Sequence, residues 1–555
     1  MCLVSASPHL GGMLSGGIGV LDTLYDGSRA PILDEFVHSV ADHYQVQNPK
    51  TSATSFEPHV AEQIVDRLVA SEKLITVLKG YYPVRVDGAG RSIRSVMFAG
   101  KDTRAIAGRI FVDASYEADL AALAGVPCRI GRESRAEYGE PHAGRVFTRR
   151  SMGGKHPREA ATGELRLRPF PAIAEELLEG STGEGDSQVQ AYHYRLCLTN
   201  VPGNRREIKK PPGYDADFFH RTFGPAYDFK RLSGRPLHNG KTHWFQNFTG
   251  GSSRYPGGDR RERARVEARH REFALGILYF LQNDTALPAD TRKEFAPWGL
   301  AADEFTDNGN IPYQLYVREA RRIVGRYVFT QHDASLAPGL QCAPIHRDSI
   351  AFSEWPMDSH EVSAERRPGS DFEGKLILSE LTRPAHVPYR TLLPKNIDNL
   401  LVPVCVSSTH VGWGTIRLEP TWMHIGESAG FACALALRRK KAPADISVPE
   451  LQRTLVEKNV AISFLNDAVL GSAERWVAAA QYLATRGFFG SYNARPQDPL
   501  STAVAKVWER ASGGMLDAAA MAREVCKAER AGSVGDLSRT RAEVLRSIYE
   551  RHERL

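Results

Sequence analysis

The sequence predicts a doubly wound α/β fold with an inserted β-meander, a mixed α and β domain in the middle and a helical C-terminal region. Short apolar runs alternate with amphipathic helical stretches through the first 138 residues, an order typical of α/β domains. A core-like apolar pattern returns near residue 396, after a long polar stretch rich in Pro, Gly, His and aromatic residues. Beyond residue 471 the chain has a helical pattern with alternating charge.

These shifts in composition divide the chain into four predicted segments. Residues 1–138 and 396–470 form the doubly wound domain in two parts. Residues 139–395 form a substrate domain, because polar, loop-rich insertions commonly carry the loops that lie over a cleft. Residues 471–555 form the helical C-terminal region, which acts as a cap or as an oligomer contact.

The apolar patterns predict the individual elements. Strands are predicted at residues 2–4, 74–78, 84–86, 93–98, 105–112 and 400–406. Helices are predicted at residues 31–44, 58–71, 259–281 and 423–437. The residues Asp87-Gly88-Ala89-Gly90 favour a hairpin turn, so the strands from 84 to 112 form the meander. Doubly wound dinucleotide folds tolerate an insertion of this kind.

Composition indicates a globular chain and excludes several classes of protein. The 555 residues are 42% hydrophobic and 25% charged, enough for two or three domains. The formal charge of +6 is small and no basic stripe is present, so no nucleic-acid partner is predicted. No apolar run predicts a membrane span and no leader is visible, so the compartment stays open with the cytoplasm as default. The seven cysteines lack iron–sulfur spacing, and no metal site is predicted.

The segment from Ser407 to Gly430 carries the strongest functional signal. It follows a buried strand and leads into a helix that glycine and alanine keep thin. A thin helix lets its N-terminal amides lie against a ligand, where the helix dipole favours negative charge such as that of a reduced flavin. Arg417 would add a full positive charge there. The alternative is a tight helix–sheet contact with Arg417 in a surface salt bridge.

Two weaker features point to the same kind of ligand. The turn Leu10-Gly11-Gly12-Met13 follows the first strand, and paired glycines let backbone approach a bulky cofactor, although most glycine pairs are ordinary turns. Asp113 and Ala114 end a strand, and strand ends in such sheets face the ligand crevice. No G-x-G-x-x-G opens a helix near the start, so the usual pyrophosphate-binding loop is not found.

Together these segments resemble a family of FAD-dependent oxidoreductases, some of whose members carry a xanthan lyase label, related to the flavin subunit of heterodisulfide reductases. The resemblance lies in residues 9–17, 56–61, 112–120, 131–140, 194–199, 315–322, 348–350, 358–360, 388–390 and 417–430. It implies a FAD/NAD(P)-binding, Rossmann-like domain with FAD in an extended pose. It also implies the cofactor-binding residues Ser5, Leu10, Gly11, Gly12, Met13, Asp113, Ala114, Glu419, Pro420, Gly426, Ala429 and Gly430.

Two departures from the family's pattern bear on cofactor binding. Ser5 stands where an acidic residue usually holds the ribose, and a neutral serine is a weaker partner. The first strand, its glycine loop and its helix, roughly 30 residues of a βαβ unit, do not precede Met1. We therefore expect weak or no FAD binding by this chain, because of a truncated gene model or alternative start, or because a short protein has lost flavin.

The candidate catalytic residues are His410 and Arg417. Hydride transfer to flavin usually needs a base for the accompanying proton, and histidine is common because its pKa lies near working pH. His410 is the first candidate, since it lies between the buried strand and the flavin-facing segment, and Arg417 would stabilise reduced flavin. His360, His243 and the pair Tyr389-Arg390 are secondary candidates.

Two further patterns are less specific. Arg318, Arg321 and Arg322 would suit a clamp for a carboxylate or sugar acid, but helical spacing of charges is also typical of a solvated or salt-bridged face. Asp358-Ser359-His360 contains the residue types of a nucleophilic triad. Neighbours in sequence do not have triad geometry, and the nucleophile elbow G-x-S-x-G is missing, so a hydrolase is a poor interpretation.

The sequence thus predicts an FAD-dependent oxidoreductase that acts on an unidentified small polar or carbohydrate-like substrate by hydride transfer to or from flavin. Two alternatives stay open. One is a polysaccharide lyase of the xanthan type, which would eliminate across a uronic acid with a base and a cation and without flavin. The other is a non-catalytic flavoprotein remnant that acts as a binding module. The expected partner is a small molecule, not a nucleic acid or a membrane.

Overall fold

The computed structural model of the protein is a mixed α/β structure that describes residues 1–152, 165–223, 234–512, 517–531 and 539–552. Its helices are α1 (Pro31–Tyr44), α2 (Pro58–Ser71), α3 (Asp119–Leu123), α4 (Arg135–Tyr138), α5 (Ala216–Phe223), α6 (Arg260–Asn283), α7 (Ala289–Phe295), α8 (His410–Ile416), α9 (Glu419–Arg439), α10 (Val448–Glu457), α11 (Arg475–Ala484), α12 (Thr502–Ser512), α13 (Ala518–Arg530) and α14 (Arg541–His552). Within the described ranges, no helix combines the length and apolarity needed to cross a bilayer.

The strands are short, as the interrupted apolar runs of the sequence require. They are β1 (Cys2–Ser5), β2 (Thr76–Lys79), β3 (Tyr82–Ala89), β4 (Ser92–Ala99), β5 (Thr103–Ala107), β6 (Phe111–Val112), β7 (Cys128–Arg129), β8 (Thr148–Met152), β9 (Ile173–Leu177), β10 (Leu196–Thr199), β11 (Arg205–Arg206), β12 (Arg235–Pro236), β13 (Lys241–Trp244), β14 (Gly299–Ala301), β15 (Arg322–Ile323), β16 (Ser349–Ser353), β17 (Asp358–Ser359), β18 (Leu376–Ile377), β19 (Ala385–Pro388) and β20 (Leu400–Leu401).

Two parallel ladders occupy the place of the predicted doubly wound sheet. β1 pairs with β2 along four residues, and β20 pairs with β6 along two. No strand pairing joins the two ladders among the described residues. The strand predicted at 400–406 is paired only at Leu400–Leu401. Pro403 follows directly, and a proline has no N–H with which to continue a ladder.

A three-stranded antiparallel sheet of order β3-β4-β5 lies between β2 and β6 in the chain, where the meander is predicted. The turn residues of its first hairpin are Gly90 and Arg91, one or two positions later than the sequence suggests. Asn399 fastens this sheet to the following part of the domain. Its side chain accepts a hydrogen bond from Ile93 N at 2.9 Å and donates one to Ile93 O at 2.8 Å.

A five-stranded antiparallel sheet of order β11-β14-β10-β13-β12 forms the centre of the polar middle segment. All four residues of β10 and of β13 are buried, and Leu196 lies opposite Trp244 in their pairing. Helix α6 packs in the same apolar cluster through Phe273 and Ile277. The sheet is therefore a rigid support for the polar residues that precede β10 and follow β13.

The largest apolar cluster joins α9 to β16, β19 and the C-terminal helices. Ser428 Oγ on α9 donates a hydrogen bond to Ile350 O of β16 at 2.7 Å. Leu451 and Trp508 belong to the same cluster, so the helical C-terminal region covers this part of the core. The packing holds α9 in place, and with it the position of its N-terminus.

A buried ion pair connects the N-terminal region to this core. Arg29 donates from both terminal nitrogens to the two carboxylate oxygens of Glu354, at 2.8 and 3.0 Å, and both side chains are at most 2% exposed. Thr23 Oγ1 and Leu24 N also donate to Glu354. Burial opposes ionisation of Glu354, but the charge and hydrogen bonds of Arg29 outweigh it and lower the pKa of this carboxyl.

We predict that Glu354→Gln destabilises the protein strongly, because Arg29 would remain buried without a charged partner. The expected loss in the free energy of unfolding is about 3 kcal/mol, measured by urea denaturation at neutral pH. The control is Glu176→Gln, which breaks a pair with Arg149 whose side chains are 59% and 54% exposed. There the loss should be about 0.5 kcal/mol or less. Similar losses in the two variants would contradict the prediction.

Candidate functional site

Helix α8 begins at His410 and fixes the histidine ring inside a buried polar network. Thr409 caps the helix, and its hydroxyl accepts a hydrogen bond from Gly412 N at 3.1 Å. Nδ1 of His410 lies 2.8 Å from Glu319 Oε2, and Nε2 lies 2.9 Å from Ser359 Oγ. Both ring nitrogens are therefore engaged within the protein, and the ring is only 3% exposed.

Glu319 is fully buried and forms the centre of this network. Arg322 Nη1 lies 3.0 Å from Glu319 Oε1, and Gln190 Nε2 donates to Oε2 at 3.0 Å. Burial alone would raise the pKa of Glu319, but the charges of His410 and Arg322 outweigh it and hold this pKa below its usual value. The carboxylate is thus ionised and compensated by neighbouring charge, which is the arrangement that a buried charge requires.

Ser359, His410 and Glu319 have the connectivity of a serine–histidine–acid triad, which sequence neighbours alone did not indicate. Ser359 Oγ also lies 3.1 Å from His360 O, so its hydroxyl is shared between two partners. The serine residue is 3% exposed. These contacts tie β17 to α8, and the burial of the hydroxyl does not favour a nucleophile.

The residues from Arg318 to Arg322 are not helical, so the spacing that suggested a helical face is misleading here. Arg322 lies in β15 and pairs with Glu319, and Arg321 pairs with Asp119 at 2.8 Å. Arg318 forms no ion pair with any described residue. The three arginines therefore do not act as one clamp. Of the three, Arg318 alone has no carboxylate partner among the described residues.

Arg417 lies between α8 and α9 in a buried ion pair. Its Nη2 donates to Asp358 Oδ1 at 2.8 Å, and its Nη1 lies 3.4 Å from the Tyr316 hydroxyl. The side chain is 2% exposed, so the alternative of a surface salt bridge is wrong. Burial opposes the positive charge, but Asp358 outweighs it and raises the pKa of Arg417 above its usual value.

Several buried polar atoms around the start of α9 have no hydrogen-bond partner among the described residues. They are Nε of Arg417, both carboxylate oxygens of Glu419 and Nε1 of Trp422, and Pro420 is buried beside them. Buried polar groups are nearly always paired, so such a group of atoms indicates a place for a polar ligand. Burial raises the pKa of Glu419 to about 7.

The predicted turn Leu10–Met13 lies against the same region. Met13 N donates a hydrogen bond to the Tyr116 hydroxyl at 3.0 Å, and the Tyr116 ring packs edge-on against Trp422 with centroids 5.4 Å apart. Gly12 has a φ of +55°, and a Cβ there would lie 2.7 Å from the Tyr116 hydroxyl. Gly11 also has a positive φ. Tyr116 thus connects the glycine turn with the start of α9.

The other three predicted cofactor-binding residues of the N-terminal segment lie at strand ends. Ser5 ends β1 and is partly exposed. Asp113 follows β6 and is buried, and its carboxylate accepts hydrogen bonds from Ser115 Oγ at 2.6 Å and Ala121 N at 2.9 Å. Ala114 is exposed beside it. The carboxylate of Asp113 is therefore used to order the loop before α3 and the first turn of that helix.

Gly426 and Gly430 leave an open strip one turn apart on α9. A Cβ added at either glycine would meet no atom within 4 Å. Ala429 is buried, at 1% exposure. Glu427 faces α1 and accepts a hydrogen bond from Ile32 N at 3.0 Å. The thin helix that the sequence predicts is therefore present, and its two glycines border open space.

Three buried arginines, Arg195, Arg318 and Arg417, surround Tyr316, and we call them the arginine cluster. The guanidinium carbons of Arg195 and Arg318 lie 4.9 and 5.2 Å from the centroid of the Tyr316 ring. Arg417 meets the hydroxyl of the same tyrosine. Among the described residues, only Arg417 of the three is ion-paired with a carboxylate. The cluster therefore carries an excess of positive charge.

His193 and His360 lie beside the arginine cluster and share Asn247. His193 Nδ1 donates to Asn247 Oδ1 at 3.1 Å, and Asn247 Nδ2 donates to His360 Nδ1 at 3.2 Å. Burial and then the charge of Arg318 lower the pKa of both histidines well below the usual value. His360 is thus neutral, with its proton on Nε2, and its side chain is 24% exposed.

Of the three remaining secondary candidates, Arg390 and Tyr389 have structural contacts. Arg390 is paired with Asp348 at 2.8 Å. The hydroxyl of Tyr389 donates to Pro443 O at 2.9 Å. His243 is buried in β13. The contacts of Arg390 and Tyr389 explain these two residues without a ligand, whereas Nδ1 of His243 has no hydrogen-bond partner among the described residues.

One group of described residues, Glu57, His59 and Glu304, has the composition of a metal site, with ligand atoms within 4.8 Å of one another. Lys241 Nζ lies 2.5 Å from Glu57 Oε1 and 2.8 Å from Glu304 Oε1. The ammonium group therefore already provides the positive charge that the two carboxylates require.

Sequence reasoning did not select Arg195, Tyr316, Tyr116 or Asn247 as site residues. Arg195 immediately precedes the buried strand β10, and a charged residue beside an apolar strand is the signal that would have found it. Tyr316 lies 200 positions later than Tyr116 in the chain. Their convergence on one site depends on tertiary contacts that residue spacing does not contain.

Comparison with solved structures gives only weak likenesses. AlpK is 16% identical, over 45% of this chain and 54% of its own, with a TM-score of 0.20. CabE, an aromatic hydroxylase from angucycline biosynthesis, is 15% identical over 44% of this chain and 51% of its own, with a TM-score of 0.18. BexE, studied for oxidation during BE-7585A biosynthesis, is 14% identical over 53% of this chain and 66% of its own, and its TM-score is also 0.18. The chain thus spans between half and two thirds of these proteins, and the scores are too low to indicate a reaction.

The family comparison covers far more of the chain. No protein of curated function matches the sequence significantly. The family model described as FAD dependent oxidoreductase matches residues 1–455. The matched range contains the parallel ladders, the five-stranded sheet, the arginine cluster and the start of α9. The chain therefore belongs to the FAD-dependent oxidoreductase family.

Proposed function

We propose that the protein transfers hydride between a small polar substrate and FAD, with the reacting groups beside the start of α9. Membership of the family indicates the general class of reaction. The observation that carries the location is the set of unpartnered buried atoms on Arg417, Glu419 and Trp422. A redox enzyme needs such groups where charge changes during the reaction.

The residues at the start of α9 fit the polar edge of a flavin. That edge needs both donors and acceptors of hydrogen bonds, and the site offers N–H groups of Arg417 and Trp422 and the carboxyl group of Glu419. The helix dipole adds positive potential at the same end of this 21-residue helix. The fit is limited to the flavin half of FAD, because the Met13 amide of the glycine turn already donates to the Tyr116 hydroxyl.

FAD, when bound, supplies the hydride acceptor or donor. The protein's own residues supply fixed charge and orientation. Asp358 holds Arg417 in place, so the positive charge needs no rearrangement to stabilise negative charge next to α9. His360 holds a proton at Nε2, where it donates a hydrogen bond that orients a polar substrate.

Glu419 is the group best suited to take or deliver the proton that accompanies hydride transfer. A general acid–base group works best when its pKa lies near working pH, and burial raises the pKa of Glu419 to about 7. Both of its oxygens are unpartnered among the described residues. His410, the first candidate from the sequence, has both ring nitrogens bound, so we assign it a positioning role through Ser359 and Glu319.

Because Ser5 is a weak ribose partner, we expect the affinity for FAD to be low, and FAD is therefore supplied in large molar excess. Under these conditions we predict that FAD raises the unfolding temperature of the protein and that FAD fluorescence is quenched on binding. Arg417→Gln should weaken this binding about tenfold, since one charge-assisted contact is lost. Arg417→Lys keeps the charge, so its affinity for FAD should lie between those of the wild type and Arg417→Gln. Arg383→Gln is the control, because Arg383 is buried but donates only to backbone carbonyls elsewhere.

The response of the unaltered protein to FAD decides between the candidate functions. No effect of a large excess of FAD on either signal would contradict the proposal. It would favour the flavin-free lyase or the non-catalytic remnant.

We predict that Glu419→Gln stabilises the protein at alkaline pH. The pKa of Glu419 is raised from 4.5 to about 7, so folding favours its protonated form and the native state loses stability as pH rises through this window. Above the window, the variant should exceed the wild type by about 3 kcal/mol in the free energy of unfolding. Below pH 4.5 the two should be nearly equal.

The matched control for this experiment is Glu354→Gln. The pKa of Glu354 is lowered by its partners, so its ionised form stabilises the folded state and its loss should be largest at high pH. The two variants should therefore differ in sign in urea denaturation series. A Glu419→Gln variant that is less stable than wild type at alkaline pH would show that Glu419 is ionised and paired.

A further inference from the structure

Two members of the arginine cluster form no ion pair with any described carboxylate. Most buried arginines of this protein are paired with carboxylates, as Arg29 and Arg132 are. Arg195, Arg318 and Arg383 are the exceptions among the described residues, and their exposure is 6%, 1% and 7%. Arg383 binds carbonyl groups of its own loop, whereas Arg195 and Arg318 lie over one tyrosine ring.

The existing partners of Arg195 and Arg318 are neutral. Arg195 Nε donates to His193 Nε2 at 3.2 Å, and its Nη1 donates to Ile18 O at 3.4 Å. Arg318 Nη1 donates to Ala191 O and, at 3.0 Å, to Asn247 Oδ1, and Nε of Arg318 has no partner among the described residues. These contacts orient both guanidinium groups without compensating their charge.

The nearby carboxylates are already committed to other cations. Asp358 is paired with Arg417, and Glu361 accepts from Asn247 Nδ2 at 2.7 Å and lies 3.4 Å from Lys375 Nζ. Removing an ion from water costs several kcal/mol unless a counter-charge offsets it. Two such groups beside one ring, neither in an ion pair with a described carboxylate, indicate that an anion enters from outside the chain.

The surroundings of the two arginines select among anions. The guanidinium carbon of Arg195 lies 4.8 Å from the Phe245 centroid, and His193 stacks on Phe245 at 4.0 Å. Flat aromatic walls and planar guanidinium groups suit the planar carboxylate, which takes two parallel hydrogen bonds from an arginine. Phosphate sites are usually built from backbone amides at helix or glycine-loop termini. The groups that contact these two arginines are instead the side chains of His193 and Asn247 and the carbonyl of Ile18.

We propose that Arg195 and Arg318 bind a carboxylate group of the substrate, so that the substrate is an organic acid whose reacting carbon lies toward the start of α9. The reaction rests on the function proposed above, but the binding of the carboxylate does not require flavin. Tyr316 connects the two parts of the site, because its ring lies against both arginines and its hydroxyl meets Arg417.

The test compares acetate with its neutral analogue acetamide at equal ionic strength, using the unfolding temperature of the full chain. A ligand that binds only the folded state raises this temperature with its concentration. We expect acetate to stabilise the wild type more than acetamide does. Arg318→Gln and Arg195→Gln should each lower the acetate affinity about tenfold or more, while Arg383→Gln keeps it.

These variants also report on their own folding. Because glutamine removes an uncompensated buried charge, Arg318→Gln and Arg195→Gln should unfold at the same temperature as wild type or higher when no acetate is present. Arg132→Gln, which leaves Glu373 without its partner, should unfold at a lower temperature. A variant that folds well and has lost only the response to acetate supports the proposal.

Three results would overturn it. They are equal stabilisation of wild type by acetate and acetamide, an unchanged acetate response in both cluster variants, and stabilisation by inorganic phosphate that exceeds that by acetate. The FAD titration on the same preparations separates the two proposals. A protein that responds to FAD but not to acetate would support the proposed function and contradict the carboxylate site. A protein that responds to acetate but not to FAD would support the carboxylate site and contradict the proposed function.

Discussion

The site depends on one fully buried carboxylate, that of Glu319. It binds His410 at the start of α8, Arg322 in β15 and Gln190 on the approach to β10. Those three residues belong to segments far apart in sequence, and a buried charge keeps its low energy only while all of its partners stay in place. Glu319 therefore fixes the position of the α8–α9 junction relative to the five-stranded sheet.

The buried ionisable groups in this region fall into two classes. Glu319, Arg322, Asp358 and Arg417 are compensated by one another or by His410, and they hold elements together. Arg195, Arg318 and Glu419 have no charged partner among the described residues. An uncompensated charge destabilises the folded state, so its retention is better explained by ligand binding than by architecture.

The sequence predicted local structure better than the site. The bounds of α1 and α2 agree with the amphipathic pattern, because that pattern depends only on residues one turn apart. The strand at 400–406 was overextended because apolar residues continue past Pro403 although pairing does not. The arginine run was misleading, since the partners that distinguish Arg318 from Arg321 and Arg322 come from distant segments.

Tyr316 lies beside Arg195, a cation that forms no ion pair with the titrating carboxyl of Glu419. Burial raises the pKa of Glu419, and the charge of Arg195 offsets part of this rise, so the two groups interact although they form no ion pair. Tyr316 N donates to His193 O at 3.0 Å, which fixes the tyrosine beside the five-stranded sheet with its ring against Arg195. The Tyr316 ring thus lies against a cation that has no ion-pair partner among the described residues, near a titrating carboxyl that has none either. Under the two proposals above, one ligand would use both groups, with its anionic end at the arginine and its reacting end at the carboxyl.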